Sequence, residues 1–91
     1  MRHIFADFAR LGEHHGLGLS IPLGRVDRSP ELANLTDGER VLLVEPGNLY
    51  AEGVVQVQEE GGYRWWYGVI ESRAAIHTLA PDQATPDESE E

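Results

Sequence analysis

The sequence predicts one mainly β domain, a small five-stranded antiparallel barrel over residues 1–80 with a short C-terminal helix. Three observations favour this fold. Large apolar residues alternate with small or polar ones in several short segments, turn-forming glycine and proline residues separate those segments, and only short pieces have the spacing of a helix. A chain of 91 residues has room for one domain with one core.

Two segments in the first half of the chain have β-type patterns. Residues 3–9 fit either a strand or a helix, and their aromatic content and the absence of a helix-capping residue favour the strand. The next segment is clearer, because large apolar residues occupy every other position: Leu17, Leu19, Ile21 and Leu23. Pro22 has no backbone N–H to donate, which predicts that this strand lies at a sheet edge or near its own end.

The second half of the chain has the strongest β signal. Three runs predict strands: residues 40–45, 50–58 and 63–71. Pro46-Gly47 suits a type II turn, and Gly61-Gly62 suits a primed hairpin turn, because both turn types require a positive φ that glycine adopts easily. These three segments therefore predict a β-meander.

The C-terminal part predicts a short helix followed by a tail. Residues 72–80 are expected to form the closing helix. From Pro81 onward there is no large apolar residue, so burial would not offset the entropy cost of ordering this part of the chain. The sequence therefore predicts a domain over residues 1–80 and a disordered acidic tail over residues 81–91.

The charge distribution excludes several classes of partner. The net charge is −9, and five of the sixteen acidic residues follow Pro81, so residues 1–80 carry −4. A chain without a basic stripe is not expected to bind nucleic acid or an anionic membrane surface. The absence of cysteine excludes disulfides and thiolate metal sites. With no signal-peptide core and no long apolar stretch, the expected location is the cytoplasm.

One part of the meander resembles a known class of barrel. In Gly38-Glu39-Arg40-Val41 and the later Gly53-Val54, a Gly-x-x-Val strand is followed by a turn and a Gly-Val strand. This arrangement resembles the small SH3-like barrels of the Tudor and KOW kind over residues 36–71. Residues 4–8, joined to that segment, also resemble small uncharacterised bacterial proteins. Neither resemblance implies an activity.

The last hairpin gives the sharpest prediction, because a two-residue turn determines its register. If Gly61 and Gly62 form the turn, Glu60 faces Tyr63. One face, predicted as core, then contains the pairs Val57–Trp66, Val55–Gly68 and Gly53–Ile70. The other face contains the pairs Gln58–Trp65, Gln56–Tyr67, Val54–Val69 and Glu52–Glu71. Because Trp65 and Trp66 are neighbours in one strand, their side chains must point to opposite faces.

The second face predicts a partner-binding surface. Tryptophan and tyrosine are the side chains that most often anchor protein interfaces. The predicted contact residues are Trp65, Tyr67, Val54, Val69 and Gln56. The occupant would be another protein or a second copy of this chain in a homodimer. The alternative is that the N-terminal segment or the 72–80 helix covers this face and makes it a second small core.

No residue pattern predicts catalysis. Glu13-His14-His15 is the only tempting cluster, but adjacent residues in a turn rarely converge on one ion, so we predict no metal site there. No serine lies in a Gly-x-Ser-x-Gly elbow, and Gly16 and Gly18 precede a strand rather than a helix. We therefore predict a non-enzymatic interaction or assembly module without catalytic residues or a cofactor. The alternative is a small-ligand or metal binder, or a minor enzyme, with its site near His14 and His15.

Overall fold

The computed structural model describes residues 1–86 as seven strands and four single-turn 3-10 helices. The strands are β1 (Arg2–Phe5), β2 (Gly12–Glu13), β3 (Leu19–Arg25), β4 (Arg40–Glu45), β5 (Leu49–Glu60), β6 (Tyr63–Ile70) and β7 (His77–Thr78). The 3-10 helices are Phe8–Arg10, Val26–Arg28, Pro30–Leu32 and Arg73–Ala75. All strands belong to one sheet with the order β1-β4-β5-β6-β3-β2, and β7 pairs with β5.

The mainly β class is confirmed, but the detailed description of the barrel is not. The described residues form seven strands rather than five, and the sheet is not closed. The expectation of purely antiparallel pairing is also wrong, because β1 runs parallel to β4, with Ile4 beside Leu43. Parallel neighbours need a long crossover, which residues 6–39 provide. A short strand with one buried side looks the same in sequence whichever direction its partner takes.

The predicted closing helix over residues 72–80 is wrong. This segment has a single 3-10 turn at Arg73–Ala75 and then forms β7, in which His77 pairs with Tyr50 and Thr78 with Leu49. The physical reason is the length of β5, which has twelve residues and continues beyond the end of β6. The backbone groups at that end of β5 can pair with a strand, and β7 provides it.

The strand predicted over residues 3–9 is present only at its start, because β1 ends at Phe5 and a 3-10 helix follows at Phe8–Arg10. Residues 2–5 form β1, and the chain then turns through the 3-10 helix, whose capping residue Asp7 accepts a hydrogen bond from the N–H of Ala9 at 3.1 Å. The short β2 strand pairs with only two residues of β3, Leu19 and Ser20. Pro22 is therefore paired with β6 on one side only, at a local edge of the sheet and just before the irregularity between Pro22 and Gly24.

The core lies on one face of the sheet. Its fully buried side chains come from four strands: Ile21, Val41, Leu43, Val55 and Ile70. Leu43 packs over two glycines of neighbouring strands. A Cβ atom added to Gly68 would lie 2.8 Å from Cδ1 of Leu43, and one added to Gly53 would lie 2.8 Å from the carbonyl oxygen of Val69. A larger residue at Gly68 therefore requires the Leu43 side chain to shift, and one at Gly53 also requires the backbone of Val69 to shift.

The register of the last hairpin is confirmed. Gly61 and Gly62 have φ angles of 62° and 84°, and every predicted pair from Gly53–Ile70 to Glu60–Tyr63 occurs. The one exception is Glu52–Glu71, which lies beyond the end of β6. Trp66 is buried in the core with 5 % of its surface exposed, and Trp65 points to the opposite face.

Residues 81–86 belong to the predicted tail and are described. The N–H of Gly47 donates a hydrogen bond to the carbonyl oxygen of Gln83 at 2.8 Å, so the chain after Pro81 contacts the turn between β4 and β5. The rest of the predicted tail, residues 87–91, lies outside the described residues. None of the helices in residues 1–86 is long and apolar enough to cross a membrane.

Candidate partner-binding groove

A groove lies on the outer face of the sheet, opposite the core. Side chains alternate along a strand, so Leu42 of β4, Val54 and Gln56 of β5 and Val69 of β6 all point away from the core. They form the floor of the groove, which encloses about 460 Å³. Ligand-binding clefts in proteins usually measure about 300–1,000 Å³. The volume is therefore sufficient for a side chain or a short peptide segment.

One wall of the groove is formed by an excursion of the chain between β6 and β7. After Ile70 the chain leaves β5, and it pairs with β5 again only at His77. Glu71 and Ala75, from the intervening residues 71–76, line the groove. The ring of His77 packs against that of Tyr50 with the centroids 5.1 Å apart. One ring from β5 and one from β7 thus line this part of the groove.

The charges at the groove are unevenly balanced. Arg40 donates hydrogen bonds from Nε and Nη2 to Oε2 of Glu52, the first at 2.9 Å, so these two charges compensate each other. Glu71 is exposed and makes no hydrogen bond or ion pair with another described residue. The groove therefore combines an aliphatic floor with one uncompensated carboxylate on its wall.

Three of the five predicted contact residues line this groove. They are Val54, Val69 and Gln56, all of which are half-buried. Trp65 lies on the same face but is not part of the lining, and it is half-buried as well. The expected exposure of Tyr67 is wrong, because only 4 % of its surface is accessible. Tyr67 therefore cannot take part in a contact unless the segment above it moves.

Tyr67 is covered by the turn after β2. The ring centroids of His14 and His15 lie 5.5 and 5.3 Å from that of Tyr67. The Tyr67 hydroxyl donates a hydrogen bond to Oε1 of Glu60 at 3.1 Å, and Nε2 of His15 lies 3.3 Å from the same oxygen. Two effects raise the pKa of Tyr67 above its ordinary value: burial, which is the larger, and the hydrogen bond to Glu60. At this position the outer face is therefore covered by the turn that contains His14 and His15.

The two histidines have neighbours within the fold. Besides the Tyr67 contacts, Nε2 of His14 lies 3.3 Å from the carbonyl oxygen of Arg10. Across residues 1–86, no three histidine, aspartate or glutamate side chains come together in a way that could hold a metal ion. The alternative of a ligand or enzyme site near His14 and His15 stays a prediction.

The far end of the same face carries a second cluster. The guanidinium of Arg25 lies 3.7 Å from the ring centroid of Tyr63, and its Nε and Nη2 each donate to Asp27 at 2.9 Å. The hydrogen bond with Asp27 raises the pKa of Arg25 and lowers that of Asp27. Arg25 is thus held in place by its neighbours.

Most of the groove lining was not among the predicted contact residues. The eight missed lining residues are Arg40, Leu42, Tyr50, Glu52, Gly53, Glu71, Ala75 and His77. The alternation of β4 could have identified Leu42, because Val41 and Leu43 on either side of it point into the core. No local signal could have found His77, because it reaches the groove only through the pairing of β7 with β5.

The comparisons with known proteins assign no family. No protein-family model matches the sequence, and neither a search of curated protein sequences nor a search of solved structures gave a match. The resemblance to SH3-like barrels therefore stays a prediction.

Proposed function

We propose that this chain is a non-enzymatic interaction module that binds a short segment of a partner protein in the groove of the outer face. The observation that supports the proposal is the groove itself, a concave surface on the side of the sheet opposite the core, whose floor consists of three half-buried aliphatic side chains and Gln56. Covering such a floor gains about 25 cal/mol for each square ångström of apolar surface removed from water.

A small contact of this kind suits transient binding. Interfaces below about 1,200 Å² are typical of weak encounters, and the groove is formed by a few residues of one small domain. Trp65, next to the groove on the same face, can add an aromatic contact at the rim. We therefore expect a partner segment that is extended over the sheet and dissociates quickly.

A foreign protein is a better occupant than a second copy of the chain. Each copy has a net charge of −9, so two copies repel each other at low ionic strength. Self-association through the same face is the competing form of the proposal. Sedimentation velocity at low and high salt distinguishes the two, because a homodimer through this face would become more populated as salt screens the repulsion.

The test is a peptide-display selection against the full chain. Peptides selected on the wild type are compared for binding to Val54→Glu, which places a charge on the groove floor, and to Gln58→Glu, which places the same charge on the same face of β5 outside the lining. We expect Val54→Glu to lose at least about tenfold in affinity and Gln58→Glu to stay close to the wild type.

Circular dichroism and thermal unfolding establish that the variants are folded. If Val54→Glu does not fold, Leu42→Gln tests the same floor from β4. Selected peptides that bind all variants equally, or peptides that are lost with Gln58→Glu alone, contradict the proposal.

A further inference from the structure

The charge of the groove wall points to the chemistry of the partner. We infer that the bound segment carries an arginine or lysine next to aliphatic residues, with its cation at Glu71 and its methylene chain over Val54 and Val69. This inference rests on the proposed function and adds the chemical class of the ligand.

The first argument is charge complementarity. Of the two carboxylates that line the groove, Glu52 is already bound by Arg40, whereas Glu71 has no ion pair or hydrogen bond among the described residues. Arginine and lysine form charge-assisted hydrogen bonds with a carboxylate, which are stronger than neutral ones. A cation at Glu71 therefore gains an interaction that the free protein does not make.

The second argument is the shape of a basic side chain. Arginine and lysine keep the charged group in water and bury their methylene chains against apolar surfaces. The groove has this arrangement, because Val54 and Val69 are paired on its floor and Glu71 follows Val69 by two residues on its wall. A single basic residue can thus contact the floor and the carboxylate together.

An acidic segment is disfavoured for the same reasons. Its carboxylate would be repelled by Glu71, and Arg40 could bind it only by giving up its two hydrogen bonds to Glu52. The groove therefore favours a segment with a local positive charge.

The experiment uses two capped probe peptides and the ¹⁵N-labelled full chain. One probe is acetyl-Gly-Val-Arg-Val-Gly-amide, and the other contains citrulline, which has the same shape as arginine without its charge. Affinities and sites are read from amide chemical shifts. We expect both peptides to shift groove residues, with the arginine peptide binding about two- to fivefold tighter, as for an exposed ion pair.

Two matched variants test whether Glu71 is the carboxylate that binds the arginine of the peptide. Glu71→Gln should bring the two peptides to equal affinity, and raising the salt should weaken only the arginine peptide. Glu59→Gln removes the same charge from an exposed position of β5 outside the groove, and it should preserve the difference between the peptides.

The outcomes separate the inference from the proposed function. Equal affinity of both peptides for the wild type, with shifts in the groove, overturns the basic partner and leaves the groove as an interaction site. Shifts confined to residues outside the groove, or no shift with either peptide, also overturn the inference. In that case the display selection with Val54→Glu decides independently whether the groove binds peptides at all.

Discussion

The hydroxyl group of Tyr67 donates a hydrogen bond to Oε1 of Glu60, and this bond is 3.1 Å long. This bond joins the middle of β6 to the end of β5. The rings of His14 and His15, in the turn after β2, pack against the Tyr67 ring. One part of the outer face is thus sealed by the chain itself, and the groove lies beside it, beyond Gln56.

The raised pKa of Tyr67 predicts a loss of stability at alkaline pH. The folded state holds the neutral phenol more strongly than the unfolded chain, in which a tyrosine ionises near pH 10. The neutral phenol of Tyr67 therefore contributes its full stabilisation to the folded state below about pH 10, and this stabilisation is lost as the pH rises through the folded-state pKa. Urea unfolding between pH 8 and 11 should show a steeper decline for the wild type than for Tyr67→Phe.

The control for this pH dependence is Tyr63→Phe, since Tyr63 is 49 % exposed. Tyr63→Phe keeps the hydrogen bond between Tyr67 and Glu60, so the steeper alkaline decline attributed to Tyr67 should persist in this variant. Absorbance near 295 nm should show that Tyr67→Phe removes an ionisation that occurs at a higher pH in the folded protein than in the unfolded chain. The prediction is wrong if Tyr67→Phe and the wild type lose stability in parallel.

The packing of Leu43 over two glycines predicts a contrast between two alanine substitutions. Gly68→Ala brings its new methyl group against the end of the Leu43 side chain, whereas Gly53→Ala also meets the backbone oxygen of Val69. Overpacking of this kind costs about 1–3 kcal/mol. Because a side chain can shift more easily than a backbone, we expect Gly53→Ala to be the more destabilising in urea unfolding.

A double-mutant cycle tests the cause of this contrast. Leu43→Val removes the Cδ atoms, so Gly68→Ala should cost less in that background. Gly53→Ala should keep most of its cost, because the Val69 oxygen remains in place. Equal coupling of both alanine variants to Leu43→Val would show that the backbone contact does not matter.

The opposite orientations of the two tryptophans predict different fluorescence. Trp66 is buried in the core, so Trp65→Phe should leave a blue-shifted emission that iodide quenches little. Trp66→Phe should leave Trp65, which is half-buried on the outer face, with redder and more quenchable emission. Identical quenching of the two single-tryptophan variants would contradict their placement on opposite faces.

The hairpin turn predicts a strong preference for glycine at one position. Gly62 has a φ of 84°, in the region where a side chain with a Cβ atom is strained. Gly62→Ala should lower the free energy of unfolding by about 1–2 kcal/mol, whereas Gly62→Asn should cost less, because asparagine tolerates left-handed backbone. Thermal unfolding of both variants measures the difference, and a stabilising effect of alanine would rule out the positive φ.

Local patterns predicted the parts of the molecule in which neighbours in sequence are also neighbours in space. The pairing of Val57 with Trp66 and of Gln56 with Tyr67 follows from a two-glycine turn and a period of two residues, and both pairs are confirmed. The burial of Tyr67 under His14 could not be predicted in the same way. It depends on the path of a turn more than fifty residues away in sequence.

What the sequence determined by itself is the mainly β class, the hairpin register and the division of its side chains between two faces, because alternation and turn chemistry act over a few residues. The tertiary structure alone decided the parallel pairing of β1, the formation of β7 where a helix was expected, and the groove that His77 of β7 helps to line. Each of these depends on which distant backbone groups remained to be hydrogen-bonded, and that is a property of the assembled sheet.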